Sequence, residues 1–180
     1  MNSHSEWWDF IVERSDLRNG RIVSNERHEP LADGEVLMAI ERFALTANNL
    51  TYAISDEGLG FWDLFAAPVG FGRIPVWGHA VVERARHPDV VEGERFFGMF
   101  PMSSHWTFSG RRTRLGLRDE SALRARVNPV YNQYAIVRDS EVAQLESDVT
   151  FRPLFITSFV LDARESQDLS PCHDVSLHVV

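Results

Sequence analysis

From Trp7 to about Val137 the apolar residues come in short runs separated by turn-forming residues, and this spacing constrains the fold more than any other feature. Runs such as Glu35-Val36-Leu37-Met38-Ala39-Ile40, Val81-Val82 and Phe96-Phe97 read as strands, and Asn132-Gln133-Tyr134-Ala135-Ile136-Val137 reads as a return strand. Asp33-Gly34 predicts a turn ahead of the first of these. Asp89 to Glu94 predicts a loop, and Leu17-Arg18-Asn19-Gly20 a turn in which Gly20 supplies the positive φ. Strands at this spacing suit a barrel rather than a helical bundle. Gly34, Gly78 and Gly98 are expected at turns or at crowded strand positions with no room for a Cβ. Thr46 is a candidate N-cap for a short helix through Asn48 to Ile54. Five Trp and twelve Phe among 180 residues supply side chains for one well-buried core.

Two stretches break the pattern. Gly58 to Gly72 mixes Gly, Phe, Trp and Pro without a period, which fits either a lid over a site or a hydrophobic loop tucked onto the barrel. From Ser140 onward the alternation stops. Phe151 to Leu161 is strongly apolar and predicts a helix, whereas Ala163 to Val180 is mostly polar and predicts a poorly ordered tail.

Net charge of −8 argues against a nucleic-acid or anionic-membrane surface, since both need clustered Lys and Arg. The one basic cluster is Arg111, Arg112, Arg114, Arg118, Arg124 and Arg126. Asp119 and Glu120 interrupt it, so it reads as a solvated face rather than an anion site. Cys172, the single cysteine, allows neither an internal disulfide nor a Cys-rich zinc framework. Met1 to Glu6 lacks the features of a signal peptide, and no apolar run approaches the length of about 20 residues that spans a bilayer. Cytoplasmic location and no membrane partner are the expectation.

A dinucleotide site needs a glycine-rich turn opening a helix, where backbone N–H groups meet the pyrophosphate. Gly58-x-Gly60 has Asp63 where the third glycine belongs, and Gly70-x-Gly72 has Pro75 there. Neither follows a credible strand within a βαβ unit, so no dinucleotide is expected on this chain alone. No nucleophile elbow, metal cluster or paired carboxylate motif is visible. His105 and Trp106, after the Met99-Phe100-Pro101-Met102 turn, either border a pocket or are exposed.

Several segments in order resemble the catalytic domain of the medium-chain dehydrogenase/reductase superfamily. Its barrel carries a Pro-x-x-Gly-His-Glu strand, a loop, a Gly-Asp-Arg-Val turn and a strand ending in Gly. Here Pro75, Gly78 and His79 match the first pattern, Gly93-Glu94-Arg95 the turn, and Gly98 the strand end. Leu31 to Ile40 resembles the family's Gly-Glu-Val-Leu-Val-Arg-Val strand, and Phe43 to Leu50 its Leu-Asn-Pro-x-Asp segment. The chain is closest to a zinc-independent branch that is a family of unknown function, through Ala44 to Tyr52, Ile74 to Gly78, Asn128 to Tyr134 and Arg152 to Phe155.

The resemblance implies a mainly-β, GroES-like, partly open barrel with short helices and a C-terminal helix. The barrel domain would occupy residues 1–150, with 151–162 starting a linker helix toward an absent nucleotide-binding domain and 163–180 a divergent tail. It also implies a truncated relative of an NAD(P)H-dependent oxidoreductase, inactive alone because hydride transfer depends on a cofactor held elsewhere. The alternative is a stand-alone, non-catalytic barrel that binds a small molecule or a protein. Zinc-dependent relatives use a Cys, the His of Gly-His-Glu and a further ligand. Ala80 replaces that Glu and no Cys is suitably placed, so His79 reads as structural and no metal is expected. In zinc-independent relatives a barrel side chain donates a proton or fixes the carbonyl. Tyr52 is the candidate for that role, with Asn48 or Asn49 orienting the substrate or the nicotinamide ribose. The same residues also have an ordinary reading, the asparagines as helix caps and Tyr52 as packing. Without a nucleotide-binding domain, the apolar surface of Phe151, Leu154, Phe155, Ile156, Phe159, Val160 and Leu161 predicts self-association.

Overall fold

A computed structural model describes residues 7–24, 30–54, 60–138, 147 and 149–154. Among the described residues nine strands dominate: β1 (Trp8–Glu13), β2 (Asp16–Ser24), β3 (Glu35–Ala44), β4 (Phe71–Gly72), β5 (Pro75–Ala85), β6 (Arg95–Pro101), β7 (His105–Thr113), β8 (Gly116–Asp119) and β9 (Gln133–Val137). One α-helix, α1 (Ala47–Ile54), and three short 3-10 turns complete the set, with a helical stretch at 149–154. The molecule is therefore mainly β, as the short apolar runs predict.

Six strands form a closed barrel in the order β3-β5-β6-β9-β8-β7. The expected gap in the circuit is absent. β3 pairs with β5 along one edge and with β7 along the other, from Glu35 opposite Ser109 to Ala39 opposite His105. A ten-residue strand is long enough to serve both neighbours, which closes the wall. Val36, Met38, Ala80, Val82, Phe96, Phe100, Phe108, Leu117 and Tyr134 share one buried cluster that fills the barrel. Alternation sends the intervening residues outward, and part of that outer surface is also buried. Trp77, Phe97 and Met99 pack beneath Phe61, Leu64, Phe65, Val127 and Val149. The aromatic loop is thus tucked onto the barrel: its Phe61, Trp62, Leu64 and Phe65 are all buried.

Glycines fall where strands crowd. Gly78 and Gly98 face each other across β5 and β6. A Cβ on Gly98 would strike the Tyr134 ring, and one on Gly78 the Arg42 carbonyl and Phe43. Gly34 takes a φ of 85° in the turn before β3. Gly20 behaves differently from the turn reading. It lies inside β2 opposite Val12, and the Phe10 ring occupies the space a side chain would need. The turn falls instead at Arg14-Ser15, where the Glu13 carboxylate accepts the Ser15 hydroxyl at 2.7 Å and the Asn19 amide at 3.3 Å.

β2, β1 and β4 form a second, three-stranded sheet. An isolated bridge from Asp9 to Ser103 and an Arg73–Asp9 ion pair of 2.6 Å fasten it to the barrel end. The helix predicted over Phe151 to Leu161 is observed at 149–154, and its continuation lies outside the described residues, as do Cys172 and the 163–180 tail.

Candidate functional site

The site is built at the start of α1. The Asn49 Oδ1 accepts the Thr46 backbone N–H at 2.6 Å and the Thr46 hydroxyl at 3.1 Å. The Asn49 N–H is taken by the Thr46 carbonyl at 3.0 Å. Thr46 therefore occupies the cap position as expected, but the capping side chain is Asn49, reaching back as in a capping box. The Asn49 Nδ2 donates to the Pro75 carbonyl at 2.9 Å, a buried bond that fixes α1 to the first residue of β5. Both ends of the Asn49 amide are committed to holding the helix.

Asn48 and Tyr52 stand one turn apart on α1. The Tyr52 hydroxyl oxygen accepts from the Asn48 Nδ2 at 3.3 Å and from the Trp77 Nε1 at 3.2 Å. Two donors fill the phenol's acceptor positions, and its proton has no acceptor among the described residues. The ring is wedged by Phe61 at 4.7 Å and by Tyr131 at 6.3 Å, edge-on. Burial, and secondarily the neighbouring Tyr52, push the Tyr131 hydroxyl above the usual phenol range. With the oxygen's acceptor positions taken by Asn48 and Trp77, the O–H proton is the part of the phenol left for another partner.

Beside this group runs a groove of about 240 Å³, lined by Ala44, Ala47, Asn48 and Trp77 on the barrel side and by Val149 and Leu154 of the helical stretch. Trp77, which lines the groove and also binds Tyr52, is held by stacking on Phe97 at 5.5 Å and 14°. A second cavity of about 300 Å³ lies near β7, where Trp7, Arg73, His105 and Trp106 meet. His105 borders it, with Trp7 stacked on its ring at 4.2 Å and its Nε2 on the Glu83 carboxylate at 2.9 Å.

His79 is fully buried on the barrel's outer face against Phe97, ring centroids 5.1 Å apart. Among the described residues, no group of three or more His, Cys, Asp or Glu could hold a metal ion. No helix among them is long and apolar enough to cross a membrane.

The basic cluster is not the uniform solvated face expected of it. Arg111 pairs with Glu120 at the surface, but Arg124 is fully buried, its Nε 3.2 Å from the equally buried Asp119 carboxylate. Its guanidinium also donates to the Tyr131 carbonyl at 2.6 Å and the Tyr134 hydroxyl at 2.9 Å, and lies 4.7 Å from the Phe65 ring. The Tyr134 hydroxyl in turn donates to the Met99 carbonyl at 3.2 Å, and burial pushes its ionisation far above the usual phenol range. Charge counting along the sequence missed this network, because Arg124 sits between other arginines and its partners come from elsewhere in the barrel.

Fold and site together describe a mainly-β protein organised around a closed six-stranded barrel, with a groove beside α1 lined by Asn48 and Trp77, the two residues that donate to Tyr52. Residues 43–172 match a family described as a protein of unknown function (DUF2855), and the chain belongs to that family. No curated protein matches the chain.

Proposed function

We propose that this barrel is the substrate-binding part of a zinc-independent, NAD(P)H-dependent oxidoreductase of the medium-chain type, acting in the cytoplasm, with Tyr52 as proton donor. One observation carries the reading: the Tyr52 hydroxyl accepts two hydrogen bonds from Asn48 and Trp77, and both of those residues line the groove. That arrangement leaves the O–H proton for a substrate oxygen or carbanion. Asn48 is the orienting residue of the pair, because the Asn49 amide is occupied with the helix cap and Pro75.

Two local features support placing a dinucleotide outside these residues. Gly72 lies under the Trp62 ring, and Gly60 opens a 3-10 turn of only three residues. The barrel's part in the reaction is therefore limited to holding a carbonyl compound and supplying a proton. A second reading, a stand-alone small-molecule-binding barrel, is favoured by the way Phe61, Leu64, Phe65 and Val149 already seal the outer face over Trp77 and Phe97. Two measurements separate the readings. Downstream DNA, read in all frames, is expected to encode alternating strands and helices with a glycine-rich turn. The purified chain is expected to show neither stoichiometric zinc nor NADPH binding. Tight NADPH binding by this chain alone contradicts the placement of the cofactor outside it.

A further inference from the structure

We infer that the second cavity, between β7 and the three-stranded sheet, binds a zwitterion: a small molecule whose ammonium and carboxylate ends are held apart by an apolar linker. This site is independent of Tyr52 and of the groove beside α1. Strand register gives its charge layout. Glu35 lies opposite Ser109, Leu37 opposite Thr107 and Ala39 opposite His105. Glu35 therefore stands about 13 Å along β3 from the level of His105, at the usual rise of a strand. Beyond His105 on the other side, Asp9 bridges to Ser103 and holds the Arg73 guanidinium at 2.6 Å. Trp7, stacked on His105, lies between these two levels. A carboxylate and a guanidinium thus stand toward opposite ends of one cavity, and both residues line it.

Each end has bonding capacity left. The Glu35 Oε2 accepts the Ala32 N–H at 2.7 Å, and its Oε1 has no partner among the described residues. Arg73 gives Asp9 one hydrogen bond, from Nη2, and its Nη1 donors have no partner among the described residues. His105 offers the ligand little, because its Nδ1 meets the Ser104 hydroxyl and its Nε2 the Glu83 carboxylate, both at 2.9 Å. Charge then narrows the class. With Asp9 set against Arg73, Glu35 leaves the lining negative, which disfavours a plain anion. A plain cation would satisfy Glu35 and leave the Arg73 donors idle. Trp7, Ala66 and Trp106 complete a lining that suits a hydrocarbon linker. At about 300 Å³ the cavity is at the lower end of the roughly 300–1,000 Å³ of small-molecule sites, so the ligand is amino-acid-sized.

Isothermal titration calorimetry of the full chain with 6-aminohexanoate, hexanoate and hexylamine tests this, since the last two each lack one of the charges. The zwitterion is expected to bind at least about tenfold tighter than either. Glu35→Gln keeps an acceptor for the Ala32 N–H and is expected to weaken 6-aminohexanoate at least about tenfold while leaving hexanoate no weaker. Ala66→Trp, at an exposed lining position, fills the cavity without altering either charge and is expected to abolish binding. It carries the test if the melting curve shows that Glu35→Gln disturbs the turn before β3. Equal or tighter binding of hexylamine or of hexanoate overturns the inference, as does the absence of saturable 6-aminohexanoate binding in the millimolar range. Binding that survives Ala66→Trp lies elsewhere on the protein and overturns it too.

Discussion

Arg124 and Asp119 show how much a single buried pair can demand of its surroundings. Both side chains are fully buried, and the guanidinium also draws in the Tyr131 carbonyl, the Tyr134 hydroxyl and the Met99 carbonyl. Asp119→Ala leaves that cation without its counter-charge and is expected to destabilise the fold by about 3–5 kcal/mol in denaturant titrations. The double replacement Asp119→Leu with Arg124→Met is expected to cost distinctly less, because no charge is left stranded. Equal losses in the two would contradict the pairing. Tyr134 gives a pH dependence of definite sign. Burial holds its folded pKa above the ordinary phenol range, so the folded state keeps a proton that the unfolded chain releases. Its contribution to stability is complete below pH 10 and declines as pH rises beyond it. Tyr134→Phe is expected to flatten this alkaline decline, measured as unfolding free energy against pH, and an unchanged slope would contradict the assignment.

Among the elements, β5 and β6 are the most exacting, because Gly78 and Gly98 allow the Tyr134 ring and the Phe43 backbone to approach. Gly98→Ala pushes a methyl group into the Tyr134 ring and is expected to cost about 1–3 kcal/mol, read from the melting transition. A neutral substitution would mean that the ring is free to move aside. These strands were legible in sequence because apolar runs broken by turn residues reflect the barrel's alternation directly, and because a glycine inside such a run signals crowding. Gly20 was misread as a turn for a physical reason: its neighbours Arg18 and Asn19 are polar because β2 is exposed along most of its length, not because the chain reverses there. Tyr52, Asn48 and Asn49 could be picked out as a segment, but their division of labour could not. Which asparagine caps the helix and which reaches the phenol depends on Pro75 and Trp77, 26 and 25 residues away from Asn49 and Tyr52. Arg124 left no signal at all, since burial of a lone arginine is decided by where Asp119 and Tyr134 lie in the closed wall.

For the whole molecule, the question is what lies against the groove side. Phe151 and Leu154 are 56% and 55% exposed, so the helical stretch presents part of its apolar surface outward. Phe155 and Phe159, which continue that surface in sequence, lie outside the described residues. We expect the chain to self-associate through this region, and Phe155→Ser with Phe159→Ser to reduce association in sedimentation while leaving the barrel's melting transition nearly unchanged. A monodisperse wild-type monomer would show that these phenylalanines belong to a core complete in itself, and would strengthen the stand-alone reading. The central claim is that the barrel holds a carbonyl compound for reduction and that Tyr52 donates the proton. It is tested most directly by joining the chain to the reading frame that follows it and measuring carbonyl-dependent NADPH oxidation for wild type and Tyr52→Phe. The account predicts turnover in the wild type and a fall of about 10²–10⁴-fold in the variant, with an unchanged melting transition. Equal turnover in the two proteins, or no turnover in either, would contradict it.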